Sequence, residues 1–384
     1  YKLLLEQICL NPQFSVSDYS LISEKARDIL PNSSQPIHKD EVFEPPYRLF
    51  EKKAALHEDK VALIDSESEW TYRPLNERAN KLAHFLIAQG VDREDIIAIY
   101  AQRSAWLPCA MLGIHTAGAA FVILDPGCPS PRLIDQLKVA DPKFLIAADN
   151  ETEFDRELGA YMKDISLPVL RNFGLSAFEK FGWLSEYSFS SPDRVVGVDS
   201  LAYLTFTSGT TGVPLCIENE HEPLTHFLKW YFKTITTEQE SESGPIRFGM
   251  LSGLAHDPLL RDIFAPLCSG NVLCIPPQEL YFRPKDFLKW IKFKKISILH
   301  LSPALWRFVC SPFAKRELQV DEFPLFPDLK TLVFGGDVLE AKDLELVQRF
   351  SPYAACFNAY GTSETPQIMS IWNEDPRTLD SGVY

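Results

Sequence analysis

Short apolar segments alternate with amphipathic helical segments along most of the chain, and this alternation constrains the fold more than any other feature. Residues 96–100, 121–124 and 143–147 are runs of mostly apolar residues of strand length. Residues 104–114 and 131–139 lie between them and have helical character. Continuous apolar strands are typical of sheets covered on both faces, and helical connections favour parallel pairing. The pattern therefore predicts an α/β fold with a mainly parallel sheet.

The alternation resumes after a polar stretch at residues 184–200, so two similar α/β halves are expected. Residues 1–45 differ, because turn-forming residues surround one short predicted helix at residues 23–29. We interpret residues 1–45 as a linker and residues 46–384 as the α/β domain. The strands predicted in the second half are residues 202–206, 248–251, 272–275, 296–299 and 329–334. The helices predicted there are residues 223–232, 258–267, 284–293, 303–309 and 341–350.

Composition excludes several classes of protein. The chain has 384 residues, of which 46% are hydrophobic, so extensive disorder is excluded. A net charge of −14 argues against a nucleic-acid scaffold. The chain contains no stretch of eighteen apolar residues, so no membrane span is predicted. The chain begins at Tyr1 without a signal-peptide pattern and looks excised from a longer protein. Eight scattered cysteines without a C-x-x-C pair predict reduced thiols in a cytoplasmic protein.

A loop built only from serine, threonine and glycine follows a predicted strand at residues 207–212. Its two glycines permit positive φ, and its hydroxyl and main-chain N–H groups are donors for phosphate oxygens. It lacks the Lys-[ST] pair that ends the G-x-x-x-x-G-K-[ST] phosphate loop. A flexible surface turn fits the same residues, but the strand before the loop and the helix expected soon after it favour phosphate binding.

Two further stretches carry candidate site residues. Residues 358–365 combine Tyr360, whose ring can stack on a base, with hydroxyl groups and with Glu364, a carboxylate suited to Mg²⁺. The alternative for this stretch is a helix that begins near Ser363. Residues 334–337 place two glycines at the end of a predicted strand. A planar ligand can lie against the backbone there, or the chain simply turns tightly.

Taken in order, these stretches resemble the core motifs of the adenylate-forming superfamily, and specifically those of nonribosomal peptide synthetase adenylation domains. The resemblance runs from about Pro45 to about Ile368. Its five motifs lie at residues 70–75, 116–125, 208–212, 253–257 with 261–264, and 358–364. Residues 1–45 resemble the segment that joins a condensation domain to an adenylation domain.

The resemblance implies an adenylate-forming ligase, in which an amino-acid carboxylate attacks the α-phosphorus of ATP. The products are an aminoacyl-adenylate and pyrophosphate, and the acyl group then passes to the phosphopantetheine thiol of a carrier protein. The implied fold is the N-terminal core of the family, with two similar, mostly parallel sheets flanked by helices. In the family the C-terminal lid, its lysine and a ribose-binding aspartate lie beyond the position of Tyr384. We therefore expect a truncated core without its lid and with little complete turnover.

The family pattern also assigns the ATP contacts. By this pattern Ser363 would contact the α-phosphate, and Glu364 would bind Mg²⁺. The β- and γ-phosphates would be bound by Thr207, Ser208, Gly209, Thr210, Thr211 and Gly212. Adenine falls near Gly335, Gly336, Asp337, Asn358, Ala359 and Tyr360.

Asp257 is the position at which amino-acid-activating members pair a carboxylate with the substrate's α-ammonium. The pairing is chemically reasonable because a desolvated ammonium needs an opposite charge. From the residues alone, an Asp before Pro258 fits a helix N-cap equally well. His256 is expected beside the substrate carboxylate. The remaining pocket positions are Pro258, Arg261, His300, Val333, Gly335, Ala359, Gln367 and Ile368.

The pocket containing Asp257, Arg261 and His300 is similar to that of fungal α-aminoadipate reductases. Arg261 and His300 would then cradle a second carboxylate. In the rival interpretation Arg261 pairs with Asp262 or another protein acid and only shapes the pocket. The substrate side chain would then be a longer polar one that meets Gln367, or a large apolar one.

The sequence departs from the family pattern in the phosphate loop. After Gly212 the family continues x-Pro-Lys-Gly, whereas this chain has Leu215 and Cys216 at the last two positions. Loss of one charge-assisted phosphate contact costs about 1.5–3 kcal/mol, which would slow the use of ATP. Thr362 and Ser363 replace the usual Pro-Thr pair, a mild change that keeps the hydroxyl.

Three functions follow from these observations. The first is amino-acid adenylation in a peptide synthetase, with a carrier protein, a condensation domain and a small MbtH-like activator as candidate partners. The second is the activating domain of an α-aminoadipate or carboxylic acid reductase. The third, motivated by Leu215, is a degenerate domain that docks partners without catalysis.

Overall fold

Two β-sheets, both mostly parallel, organise the larger part of the chain. The structure is a computed structural model, which describes residues 2–27, 43–148, 154–171, 173–178, 182–207, 214–236, 244–314 and 324–374. The chain divides into two compact units, Tyr1–Val42 and Phe43–Tyr384.

Within the described residues, the helices and strands are numbered in chain order. The helices are α1 (Lys2–Leu10), α2 (Glu24–Arg27), α3 (Pro46–Leu56), α4 (Tyr72–Ala88), α5 (Trp106–Thr116), α6 (Ser130–Ala140), α7 (Arg156–Asp164), α8 (Leu175–Phe178), α9 (His221–Tyr231), α10 (Pro258–Ser269), α11 (Pro284–Phe293), α12 (Pro303–Ala314) and α13 (Ala341–Phe350). The strands are β1 (Val61–Ile64), β2 (Glu69–Thr71), β3 (Ile96–Tyr100), β4 (Ala120–Leu124), β5 (Phe144–Ala147), β6 (Val169–Leu170), β7 (Leu201–Thr207), β8 (Leu215–Glu220), β9 (Arg247–Gly249), β10 (Val272–Cys274), β11 (Ile298–Leu301), β12 (Thr331–Gly335), β13 (Ala355–Thr362) and β14 (Thr365–Glu374).

The first unit contains α1, α2 and a short 3₁₀ turn at Val16–Asp18. The side chain of Gln7 bridges to the main chain of Ser20, since its Nε2 donates to the carbonyl at 2.7 Å and its Oε1 accepts from the N–H at 2.9 Å. The helix predicted at residues 23–29 is α2, and its last two residues lie outside the described part. The linker role of this segment stays a prediction.

The second unit is built on the two sheets. The smaller sheet has the strand order β6-β5-β3-β4-β7-β8, and only its edge strand β8 is antiparallel. The larger sheet has the order β14-β13-β12-β11-β9-β10-β1-β2, with antiparallel strands β14 and β2 at its edges. All five residues of β4 are buried, as expected of a strand covered on both faces. The predicted fold class, with two mostly parallel sheets flanked by helices, is confirmed.

The predicted elements match the structure closely in position. Helices α11 and α13 have the predicted bounds, and the predicted strands differ from the observed ones by at most two residues at either end. The antiparallel edges were not predicted. Strand β8, which was not predicted, lies between the serine, threonine and glycine loop and α9, and α9 is the helix predicted at residues 223–232.

Side chains along the strands of the larger sheet point alternately to its two faces. One face packs in the hydrophobic core, and the other, here called the site face, carries predicted pocket residues. Leu299 and Leu301 of β11 pack in the hydrophobic cluster that includes Trp306 of α12. Successive strand residues point to opposite faces, so His300 between them points the other way. Val333 of β12 is its register partner on the neighbouring strand. The sheet therefore presents both predicted pocket residues on one face.

A pair of buried histidines lies in the core of the second unit. The ring centroids of His115 in α5 and His221 in α9 are 4.5 Å apart. His115 Nε2 lies 3.0 Å from the Ala202 carbonyl, whereas His115 Nδ1 and both nitrogens of His221 are buried without a partner. Burial lowers the pKa of His115 to about 4, and burial together with His115 lowers the pKa of His221. Both rings are therefore neutral in the folded protein at neutral pH.

These histidines predict a loss of stability on acidification. Unfolding raises their pKa values to about 6.5, so the unfolded state binds more protons below that pH. The stabilisation is fully present above pH 6.5 and falls as the pH drops toward 4, by about 1.4 kcal/mol per pH unit for each group. Urea unfolding of wild type and His221→Leu between pH 7.5 and 4.5 measures this slope. We expect a shallower slope in the variant, whereas the exposed-site control His226→Leu keeps the wild-type slope; equal slopes in all three proteins would contradict the assignment.

Candidate functional site

The predicted phosphate loop lies between two strands that pair with each other. Thr207 is the last residue of β7 and is half-buried, and it lies opposite Leu215 of β8. Ser208, Gly209, Thr210, Thr211 and Gly212 lie outside the described residues, so their phosphate contacts stay a prediction. Leu215 is 61% exposed next to this loop, where the family has a lysine. An exposed apolar side chain supplies no charge to a phosphate.

The stretch with Ser363 and Glu364 is the turn of a β-hairpin. Strands β13 and β14 pair as antiparallel neighbours on either side of it. The alternative that a helix begins near Ser363 is wrong, because β13 continues the ladder from β12 and β14 returns along it. Ser363 is half-buried and Glu364 is exposed at the tip. A Cβ on Gly361 would lie 2.3 Å from the Gln367 carbonyl oxygen, so this hairpin requires glycine there.

The predicted adenine residues lie at the carboxyl ends of two neighbouring strands. Gly335 ends β12 and is the register partner of Ala359 in β13. Gly336 follows with φ of 81°, a left-handed conformation that favours glycine. Asn358 is half-buried, Asp337 is exposed, and Tyr360 is exposed over 63% of its surface. Strand order thus brings both glycine-containing stretches to the edge of the sheet where α/β proteins bind ligands.

Asp257 is a buried carboxylate with protein donors on both oxygens. The hydroxyl of Tyr203 in β7 donates to Oδ1 at 2.8 Å, and the main-chain N–H of Gln367 in β14 donates to Oδ2 at 2.9 Å. Burial raises the pKa of Asp257, while these hydrogen bonds and the charge of Arg261 oppose the increase. Asp257 stands at the N-cap position of α10, but its side chain makes no cap hydrogen bond. Its carboxylate therefore faces the junction of the two sheets.

His256 is exposed beside Asp257, and both residues line a small cavity at the end of β7. The cavity has a volume of about 20 Å³, room for one water molecule. Its walls are mainly apolar side chains, with the buried amide of Gln136 among the polar groups. This space is too small for an amino acid.

Arg261 of α10 is 6% exposed and forms no hydrogen bond or ion pair with another described residue. Its Nε atom is buried without a partner. Burial lowers the pKa of Arg261, and the charge of Asp262 acts in the opposite direction. No hydrogen bond joins Arg261 to Asp262, whose oxygens bind other groups, but the charges of Asp262 and Asp257 both favour the Arg261 cation, so the rival interpretation that Arg261 is balanced by protein acids stays a prediction. The charges of Asp262 and Asp257 act on this buried guanidinium, but its Nε has no hydrogen-bond acceptor, and a bound anion would supply one.

Asp262 anchors a buried hydrogen-bonded chain. Its Oδ2 accepts from the main-chain N–H groups of Leu251 and Ser252 at 2.9 and 2.8 Å. His300 Nδ1 lies 2.8 Å from Oδ1 of Asp262, and His300 Nε2 lies 2.7 Å from the hydroxyl of Tyr231. Burial lowers the pKa of His300 to about 4, so Nδ1–H donates and Nε2 accepts. His300 therefore has no free nitrogen for a substrate group in this structure.

The other predicted pocket residues occupy the same region. Pro258 is the first residue of α10 and is half-buried, as is Ile368 of β14. Val333 is fully buried on the site face, and Gln367 is buried with its amide Nε2 donating to the Asp257 carbonyl at 3.0 Å.

Sequence reasoning missed Tyr203, Tyr231 and the anchoring role of Asp262. A tyrosine within an apolar strand or helix has the sequence signature of a core residue, so its hydroxyl partner is invisible until the chain folds. The Arg-Asp pair at residues 261–262 did signal two opposite charges near Asp257. It did not show that the two side chains point to different partners.

Among the described residues, no three His, Cys, Asp or Glu side chains converge on a possible metal position. This arrangement still fits magnesium, which proteins often hold with one or two carboxylates plus substrate phosphates. The exposed carboxylate of Glu364 at the hairpin tip is such a group. None of the described helices combines the length and the apolar content that crossing a bilayer requires.

Comparisons with known proteins identify relatives of this chain. The family model for "AMP-binding enzyme" matches residues 50–383. The L-2-aminoadipate reductase large subunit of Penicillium chrysogenum is 30% identical over 94% of this chain and 26% of its own length. Surfactin synthase subunit 2 of Bacillus subtilis is 30% identical over 94% of this chain and 9% of its own length. The chain thus spans about a quarter or less of these relatives.

Solved structures share the fold. The nonribosomal peptide synthetase FmoA3 superposes with a TM-score of 0.78 at 19% identity, covering 95% of this chain and 36% of that protein. The N-terminal subdomain of NpsA from Klebsiella oxytoca superposes with a TM-score of 0.68 at 20% identity, covering 88% of this chain and 78% of that one. Both likenesses support the two-sheet architecture.

The hydrogen bond from Tyr203 to Asp257 predicts a specific loss of stability. Tyr203→Phe removes a donor to a buried carboxylate and should lower the free energy of unfolding by about 1.5–3 kcal/mol at pH 7. Although the guanidinium of Arg48 lies over its ring and acts on its hydroxyl, Tyr47→Phe is the matched control, because the buried hydroxyl of Tyr47 forms no hydrogen bond of ordinary length and angle. Its loss should be neutral or stabilising.

Urea unfolding of both variants at two pH values distinguishes an effect of Tyr203 on the charged Asp257 carboxylate from an effect of Tyr203 on packing. Losing Tyr203 raises the pKa of Asp257 further, so the variant's deficit should shrink once acid protonates that carboxyl. A deficit equal in the two variants, or independent of pH, would show that Tyr203 serves only packing.

Proposed function

The chain belongs to the AMP-binding enzyme family, and we propose that it activates an amino acid as the aminoacyl-adenylate with release of pyrophosphate. The observation that carries the amino-acid part is the buried carboxylate of Asp257. A buried carboxylate with a raised pKa is stabilised by an arriving cation, and the α-ammonium of an amino acid supplies one. A carboxylic acid without an amino group would leave this charge unmatched.

In the proposed reaction an oxygen of the substrate carboxylate attacks the α-phosphorus of ATP. One P–O bond forms, the bond to pyrophosphate breaks, and pyrophosphate carries away the electron pair. The nucleophile is already an anion, so the protein's task is positioning and charge neutralisation. The loop at residues 207–212 would hold the β- and γ-phosphates, and Ser363 would contact the α-phosphate. Magnesium held by Glu364 would neutralise phosphate charge when bound.

The adenine base would lie at the ends of β12 and β13, next to Gly335, Gly336 and Tyr360. The open backbone of the glycines and the exposed Tyr360 ring support this placement. His256, exposed beside Asp257, would lie next to the substrate carboxylate.

Arg261 favours a substrate with an acidic side chain. Its buried Nε has no hydrogen-bond acceptor, and the carboxylate of Asp262 already binds His300 and two main-chain N–H groups. A second carboxylate on the substrate would pair with Arg261 while Asp257 holds the ammonium. The relatives named L-2-aminoadipate reductase support this substrate class. We therefore take L-2-aminoadipate as the first substrate to test.

The activated acyl group would pass to the phosphopantetheine thiol of a carrier protein. Matching synthetase subunits are far longer than this chain, which supports a multidomain setting with a condensation domain joined through residues 1–45. A reductase setting is the second candidate, and Arg261 favours it. A small MbtH-like activator is a further candidate partner. The exposed Leu215 keeps the non-catalytic docking domain as the alternative that activity measurements must exclude.

ATP–pyrophosphate exchange by the intact protein, measured with a panel of amino acids, tests the proposal. We expect exchange with one substrate class, and Asp257→Asn should reduce it at least about hundredfold because the ammonium loses its counter-charge. The surface control Asp286→Asn should not reduce it. Leu215→Lys should accelerate exchange about tenfold or more by restoring a phosphate contact. Absence of exchange with every amino acid in wild type and Leu215→Lys, with partner docking retained, would leave the docking function.

A second prediction concerns the substrate side chain. Wild type should prefer L-2-aminoadipate to L-norleucine, which has the same chain length without the second carboxylate. Arg261→Met should reduce this preference by about ten- to hundredfold, the size of a charged hydrogen bond. Arg78→Met is the matched control, because Arg78 also has a buried, unpartnered nitrogen but stacks between Trp70 and Trp106. An unchanged preference in Arg261→Met would contradict the acidic side chain.

A further inference from the structure

The side-chain amide of Gln367 donates a hydrogen bond through its nitrogen, whereas its oxygen has no hydrogen-bond partner. Gln367 is 5% exposed, and its Nε2 donates to the main-chain oxygen of Asp257 at 3.0 Å. A main-chain carbonyl only accepts hydrogen bonds, so the amide end facing it must be the nitrogen. The amide oxygen Oε1 is buried without any partner. The orientation of this group is therefore fixed, and its unpaired acceptor lies beside Asp257.

The backbone at Gln367 is also unusual. Its φ is 75°, in the left-handed region that residues with a side chain rarely adopt. The conformation lets one residue direct its main-chain N–H at Oδ2 of Asp257 and its side-chain amide at the carbonyl of the same residue. Strained backbone and an unpaired buried acceptor at one position are typical of sites that are organised for a ligand.

The hydrogen-bond inventory around Asp257 matches an ammonium group. An ammonium has three N–H donors, and a carboxylate has about four acceptor positions, of which Tyr203 and Gln367 already fill two. The carboxylate therefore keeps room for one or two donors of an ammonium. The remaining donor needs a neutral acceptor nearby, because a second buried anion would itself require neutralisation.

We propose that Oε1 of Gln367 is this second acceptor, and that Gln367 together with Asp257 selects substrates that carry an α-ammonium. This inference rests on the proposed amino-acid activation. Arg261 repels a cation, so the ammonium lies on the Gln367 side of Asp257 and the acidic end of the substrate on the Arg261 side. Gln367 is thus a specificity-determining residue, separate from the groups that contact ATP.

The experiment compares L-2-aminoadipate with adipate, which has both carboxylates and no amino group, in ATP–pyrophosphate exchange by the intact protein. The readout is the ratio of the two kcat/KM values. If another amino acid of the panel is the substrate, that amino acid and its des-amino analogue are used. Gln367→Met keeps the chain length and removes both amide functions, and should reduce the ratio about tenfold to hundredfold.

Gln367→Glu separates the acceptor from the donor. It keeps an oxygen near the ammonium but lacks the N–H that holds the Asp257 carbonyl, so its ratio should lie clearly above that of Gln367→Met, although the added buried carboxylate lowers it below that of wild type. If the amide only positions Asp257 through its donor, Glu and Met will lower the ratio equally, and the inference is wrong. Asn80→Leu is the matched control, since Asn80 is also a buried amide with one main-chain bond and an unpaired oxygen.

Thermal unfolding of each variant identifies any general loss of folding, which would lower both kcat/KM values and leave their ratio unchanged. Failure of wild type to activate any amino acid would overturn the proposed function itself. Amino-acid activation by wild type with an unchanged ratio in Gln367→Met would overturn only the role of Gln367.

Discussion

The buried carboxylate of Asp257 is the interaction on which the site depends. It receives the hydroxyl of Tyr203 from the smaller sheet and the main-chain N–H of Gln367 from the edge of the larger sheet. One charged side chain thus joins two sheets that share no strand. Because the same hairpin carries Ser363 and Glu364, the position of Asp257 also sets the position of the predicted phosphate and magnesium contacts.

The surrounding charges are the basis of the proposal that this region binds a small zwitterion with a second acid group. Both oxygens of Asp262 are hydrogen-bonded by protein groups, namely two main-chain N–H groups and His300, so they need no donor from a ligand. Arg261 and Asp257 are buried without such complete compensation. Burial of unmatched charge is unfavourable unless a ligand supplies the partners. Asp257 and Arg261 offset each other only in part, so a ligand that carries both signs is favoured at this helix start.

The sequence predicted most of the parallel architecture and less of the site. Apolar runs such as residues 96–100 specify their strands by composition alone, since burial on both faces requires it. The β13–β14 hairpin was harder, because hydroxyl residues before an acid also fit a helix start. The partner of His300 could not be predicted, because residues 262 and 300 meet only when α10 packs on β11. The glycine loop at residues 208–212 keeps its predicted role without a structural test.

The most direct test of this account is a crystal structure of the protein with a non-hydrolysable aminoacyl-adenylate mimic. The account predicts the ligand's ammonium within about 2.7–3.2 Å of the Asp257 carboxylate, with the Tyr203 hydrogen bond retained. An ammonium bound elsewhere, with Asp257 still enclosed by Tyr203 and Gln367, would contradict it.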